Sequence, residues 1–104
     1  MLYIVYQEDR PDGAAIRAAQ REAHFAYLDE HKDILVLGGA MLGEDGATRT
    51  GSVLIINVPD RAAANAFSEN EPFRKAGLFS SVKVSRMRRG QWNPDAAPKS
   101  AEGN

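Results

Sequence analysis

The four consecutive residues Val53-Leu54-Ile55-Ile56 constrain this chain more than any other stretch. Side chains of a strand alternate between its two faces, so an unbroken apolar run requires cover on both. The strand that carries it, read as Gly51 to Val58, is therefore expected at the centre of a sheet. Leu2 to Tyr6, rich in β-branched and aromatic residues, reads as a first strand, and Pro11-Asp12-Gly13 as the turn chemistry that follows. Ile34 to Leu37, ending in Gly38-Gly39, is a second strand, and Gly43-Glu44-Asp45-Gly46 a turn before the central strand. Phe79 to Met87 alternates as a fourth strand.

Two segments between these runs have helical character. From Ala14 to His31 there is no Pro or Gly, and Ile16, Ala19, Ala23 and Tyr27 recur at helical spacing, with a cap expected from the Asp12 region. Asp60 is the expected N-cap of Arg61 to Ser68, with Ala63, Ala66 and Phe67 facing inward. Pro72 then starts a short helical turn that Gly77 closes. The order β-α-β-β-α-β predicts an α+β ferredoxin-like sandwich, a four-stranded antiparallel sheet with two helices on one face. The other face, where Tyr3, Val5, Val53 and alternate positions of the last strand are expected, is too apolar to stay wet. A second copy of the same sheet is the simplest cover, so a homodimer is expected. Trp92 reads as an anchor that pins the last segment to this domain or to the second copy. Residues 93–104 lack apolar periodicity and read as a disordered tail, which leaves 1–92 as the domain.

At 104 residues there is room for one core. A formal net charge of −1 gives no reason to expect nucleic acid or a membrane surface as partner. The basic cluster Lys83, Arg86, Arg88 and Arg89 fits edge-strand charge that blocks aggregation, and the central strand has no aromatic on which bases could stack. The absence of cysteine excludes disulfides, thiolate metal sites and Cys nucleophiles, and fits a reducing cytoplasm. The N-terminus turns acidic too early for a signal peptide, and no apolar run reaches the ~18–20 residues of a membrane span.

The chemistry-bearing residues gather on the first helix. Spacings of three, four and seven bring Arg17, Arg21 and His24 to one face. An imidazole exchanges protons near neutral pH, and guanidinium groups hold anions. Competing bland readings are a solvated histidine and surface arginines; Glu8, Asp9 and Asp12 are candidate partners for Arg17. Glu71, ahead of Pro72, is either the acid that orients His24 or the cap of the following turn, and both can hold together. Ser52 is a strand hydroxyl placed to line a pocket. His31 and His24 form no metal-binding pattern, and no cofactor is expected. Gly38-Gly39 lacks the features of a phosphate loop and is better explained by close backbone approach or a β-bulge.

Several segments, taken in order, resemble the YCII-related family: Met1-Leu2-Tyr3-Ile4-Val5-Tyr6, Arg21-Glu22-Ala23-His24-Phe25-Ala26-Tyr27-Leu28, Leu37-Gly38-Gly39-Ala40-Met41, Thr50-Gly51-Ser52, Glu71-Pro72-Phe73 and Ala76-Gly77-Leu78. The resemblance spans about residues 1–93. It implies a dimeric α+β barrel of ferredoxin-like subunits. It also implies an active site built on a first-helix histidine and an acid before a proline, which fall here on His24 and Glu71. The family usually has Asp where this chain has Glu71, and often Gly-Pro where it has Gly39-Ala40. Some relatives process chlorinated or lactone-type products of aromatic breakdown. The expectation is a cofactor-free lyase-, isomerase- or dehydrochlorinase-like enzyme acting on a small anionic metabolite. His24 would move a proton, Glu71 would orient it, and Arg21, Arg17 and Ser52 would bind substrate. The alternative is a ligand-binding or accessory domain of the same fold that turns nothing over.

Overall fold

The apolar run at 53–56 lies in the inner part of the sheet. In the computed structural model, which describes residues 1–104, four strands form one antiparallel sheet: β1 (Leu2–Asp9), β2 (Leu35–Leu42), β3 (Arg49–Asn57) and β4 (Phe79–Met87). Their order is β2-β3-β1-β4, so β3 and β1 are flanked on both sides and β2 and β4 are edges. Helix α1 (Ala14–Glu30) joins β1 to β2, and α2 (Arg61–Glu69) with the single-turn α3 (Pro72–Lys75) joins β3 to β4. This is the ferredoxin-like α+β arrangement expected from the element order.

Pairing register decides which side chains enter the core. Tyr3, Val5 and Gln7 stand opposite Ile56, Leu54 and Ser52, and all six are buried. Tyr3, Val5, Leu54 and Ile56 join Val58, Ala64 and Phe67 in one apolar cluster, with Tyr27, Leu28 and Leu35 packed against it. Tyr3 and Val5 were expected on the uncovered face and lie instead beneath the helices. The face away from them carries Leu2, Ile4, Tyr6, Val53 and Ile55, with Leu37 opposite Ile55 and 65% exposed.

Three places break the strict alternation. Leu35 and Leu37 face the adjacent residues Ile56 and Ile55, so Val36 is an extra residue in β2. Met41 and Leu42 face Gly51 and Arg49, which leaves Thr50 as the extra residue in β3. Glu8 and Asp9 face Ser81 and Phe79, and Ser80 is the extra residue in β4. Each insertion exchanges the two faces for the residues beyond it. β2 also runs through Gly38-Gly39 instead of ending there; a Cβ at Gly38 would lie 2.6 Å from Leu54 Cδ2, the close approach expected of that pair.

Helix termini follow local rules except at α1. Asp60 caps α2 through Ala63 N–H at 2.8 Å, and Gly77, at φ +78°, closes α3. The N-cap of α1 is Gly13, which makes no side-chain bond, and Asp12 pairs with Arg10 instead of capping. Gly13 is packed so closely on Leu78 that a Cβ would approach Leu78 Cδ1 to 2.6 Å. The buried stripe of α1 is also rotated from the expected one. Ala19 and Ala23 are exposed while His24 is buried, because two alanines offer little apolar area and His24 finds a buried partner. On α2 the buried alanine is Ala64 and not Ala66. Trp92 is 59% exposed, beneath the Arg89 guanidinium, and is not packed into the domain. Beyond it lie a 3-10 turn at Pro94–Ala96 and an isolated Ser100–Gly103 bridge, with nearly every residue exposed.

The β2–β3 turn is tied by Asp45, whose carboxylate accepts from the Thr48 hydroxyl at 2.5 Å and from the Ala47 and Thr48 amides at 2.9 Å. These bonds, the Thr48 hydroxyl foremost, hold the Asp45 carboxyl at about 2, below its ordinary 3.8. The sign follows from linkage. Asp45 stabilises the turn fully above 3.8, and the contribution is lost as pH falls through about 2. Replacing Thr48 by Val should raise the Asp45 midpoint toward 3.8 in a carboxyl-detected NMR titration.

Candidate active site

α1 packs on α3 and, through Tyr27 and Leu28, on the sheet core, and a cleft opens between α1 and the β2–β3 half. Its volume is about 540 Å³. Arg17, Arg21, His24 and Phe25 of α1 form one wall, Gly38, Gly39 and Ala40 of β2 with Arg49, Ser52 and Leu54 of β3 the other, and Phe73 of α3 closes one side. Four of the five residues expected to form a site, Arg17, Arg21, His24 and Ser52, therefore line a single cavity.

Glu71 stands directly behind it. Its side chain is fully buried, and its Oε1 lies 2.5 Å from His24 Nδ1. The same oxygen accepts the Phe73 N–H at 3.2 Å, and Oε2 accepts the Arg74 N–H at 3.4 Å. Glu71 thus caps α3 and holds the imidazole at once. The carboxylate can only accept, which assigns a hydrogen to Nδ1 and leaves Nε2 with no partner in the protein. His24 is 8% exposed and stacks on Phe73, with ring centroids 3.9 Å apart and planes 12° from parallel. Orientation of the ring is therefore set from the carboxylate and from the stacked phenyl.

Arg17 is held where Arg21 is free. The Arg17 guanidinium makes two bonds to Asp9, at 2.5 and 3.1 Å, a third to Gly51 O at 3.0 Å, and lies 5.0 Å from the Phe73 ring centre. Of its three candidate acids Asp9 is the partner, and this pairing neutralises much of its charge. Arg21 forms no ion pair and lies 5.5 Å from the Phe25 ring centre. Ser52 Oγ accepts from Gln7 Nε2 at 2.9 Å, while Gln7 Oε1 is buried without a partner. Tyr27, one turn beyond His24, donates to Phe67 O at 2.8 Å. Burial, with the charges of Glu71 and Glu30 adding to it, raises the Tyr27 hydroxyl above its ordinary value, so it stays protonated.

Sequence reasoning missed Arg49 and Phe73 as cleft residues, and Gln7 as the partner of Ser52. Phe73 carried a signal, its place in the isolated Glu71-Pro72-Phe73. Arg49 carried none, because strict alternation from Leu54 assigns it to the opposite face; the extra residue Thr50 returns it to the cleft side.

The chain belongs to the YCII-related family, whose domain model matches residues 1–88. It is 32% identical over 98 residues to the protein YciI of Escherichia coli O6:H1, an alignment covering 86% of this chain and 98% of the relative. The YciI protein of Shigella flexneri matches to the same extent. Among solved structures it is similar to 5-chloro-2-hydroxyhydroquinone dehydrochlorinase (TftG) of Burkholderia phenoliruptrix AC1100, in complex with 2,5-dihydroxybenzoquinone. That match has a TM-score of 0.81 at 38% identity and covers 86% of this chain and 96% of the other.

Removing the acceptor of a buried hydrogen-bonded donor costs about 1–3 kcal/mol, and Glu71 serves the His24 Nδ1–H and two backbone amides at once. Glu71→Ala should therefore lower unfolding stability by that order in urea titration. Glu71→Gln, whose single amide oxygen still accepts from Nδ1 and the Phe73 N–H and gives up only the longer Arg74 bond, should cost less than Glu71→Ala.

Proposed function

We propose that this protein is a YCII-type enzyme in which His24 moves a proton on a small anionic, oxygenated ring compound. The observation that supports this most directly is the imidazole held by Glu71 at Nδ1, with Nε2 unpartnered at a cleft. Nε2 accepts a proton from an O–H or an activated C–H of the substrate. The electron pair left behind forms a new double bond, and where a group is eliminated it departs, with its own bonding pair, from a saturated ring carbon of the keto tautomer. In a dehydrochlorination that group is chloride; in an isomerisation the proton returns at another atom. The imidazolium formed is stabilised by the Glu71 carboxylate, which is already desolvated and fixed by two backbone amides. Arg21 holds an acidic oxygen of the substrate, Ser52 offers a hydroxyl from the sheet, and Arg17, tied to Asp9, keeps Phe73 in place against the imidazole.

The substrate class rests on the dehydrochlorinase relative and on the aromatic lining of the cleft, where Phe25 is exposed and the His24–Phe73 stack forms the border. The same reading includes a homodimer in a reducing cytoplasm. A second copy would cover the apolar outer face of Ile4, Tyr6, Val53, Ile55 and Leu37, completing a barrel of two sheets.

His24→Gln keeps an amide N–H for Glu71 but cannot take the proton. Chloride release from 5-chloro-2-hydroxyhydroquinone should fall by ~10²–10⁴-fold in this variant, with circular dichroism unchanged. Unaltered turnover would overturn the proton-transfer assignment, and ring binding without turnover in the wild type would make the cleft that of a ligand-binding domain. For the dimer, Ile55→Lys should convert the wild-type species to half its mass in sedimentation equilibrium. A wild-type protein that already sediments as a monomer would refute the cover.

A further inference from the structure

The cleft is lined by three arginines and no carboxylate. Arg17 is matched by Asp9, but the other two are not. Arg21 makes no ion pair, and Arg49 uses one N–H, from Nη1, on Ala47 O at 2.8 Å. These two cations come from opposing walls, α1 and β3, on either side of the space that His24 and Phe73 border. Two guanidinium groups without carboxylate partners, on opposing walls of one cleft, present charge-assisted donors to an anion between them.

Arg49 reaches this position through a departure from regular pairing. Thr50 is the residue that β3 carries in excess of β2 between the Gly51–Met41 and Arg49–Leu42 pairs. Without it Arg49 would share a face with Gly51 and Val53 and project from the opposite side of the sheet. With it Arg49 joins Ser52 and Leu54 in the cleft wall. Bulges beside binding sites re-aim side chains in this way.

We infer that the cleft is built for a planar ring bearing two acidic oxygen groups, one held by Arg21 and the other by Arg49, so that Arg49 selects dianions over monoanions. This rests on the anionic-ring reading above and specifies its charge and the residue that reads it. Two carboxylates, or two acidic hydroxyls of a hydroxyquinone, supply the same chemistry, and they differ in the span between their oxygens.

Isothermal titration of the full chain with terephthalate, 2,5-dihydroxybenzoquinone and benzoate tests it without turnover. The wild type should bind at least one of the two dianions about tenfold more tightly than benzoate, as one added charge-assisted bond provides. Whichever dianion gains identifies the source of the oxygens. Arg49→Gln should erase that advantage by weakening the dianion much more than benzoate, and Arg49→Lys should restore part of it. Arg49 is exposed, so these variants keep the fold. Equal affinity of the wild type for all three probes, including no binding of any, would overturn the inference. So would an Arg49→Gln variant that still prefers the dianion. The same titration on His24→Gln separates the two readings. Dianion preference with turnover independent of His24 would leave this inference standing and remove the proton-transfer role alone.

Discussion

A fully buried carboxylate must be hydrogen-bonded, and the way Glu71 meets that requirement organises this molecule around its cleft. Its acceptors are filled by the Phe73 and Arg74 amides and by His24 Nδ1. The first two start α3; the third ties α3 to the middle of α1. Phe73, carried into place by that helical turn, stacks on the imidazole and meets the Arg17 guanidinium. Arg17 in turn reaches Asp9 at the end of β1 and Gly51 in β3. One buried acid thus links the two crossover connections, and through Arg17 both helices to the inner strands of the sheet.

Placing this network at one end of the sheet depends on broken register. The extra residues Thr50 and Ser80 both flank the end of β1 at Glu8 and Asp9. One turns Arg49 into the cleft. The other brings Phe79 opposite Asp9, where its ring meets Phe73 edge-on at 6.4 Å. A sheet with unbroken alternation would send these two side chains to the other face. α1 packs against α3 and the core, and the small residues Gly38, Gly39 and Ala40 keep the β2 wall of the cleft low.

Much of the fold was legible because its signals are local. The Val53–Ile56 run, Asp60 ahead of a helix, Pro72 at a helix start and Gly77 at its end each act within a few residues, and each behaves as its chemistry requires. The association of Arg17, Arg21 and His24 also follows from helical periodicity. Which apolar set of β1 faces the helices was not legible, since Leu2, Ile4 and Tyr6 are as apolar as Tyr3 and Val5. The buried stripe of α1 was misread for a similar reason. A histidine counts as polar until a partner 47 positions away makes its burial favourable.

The sequence by itself determined the order of elements, the inner place of β3, the short α3 turn and the helical face that carries His24. It did so because propensity, capping and periodicity are properties of neighbouring residues. Only the tertiary structure decided that Glu71 serves helix and imidazole together, that Asp9 takes up the charge of Arg17, and that Arg49 joins the cleft. Each of these depends on the distance and register between segments remote in the chain, which pairing across the sheet and packing of α1 against α3 establish.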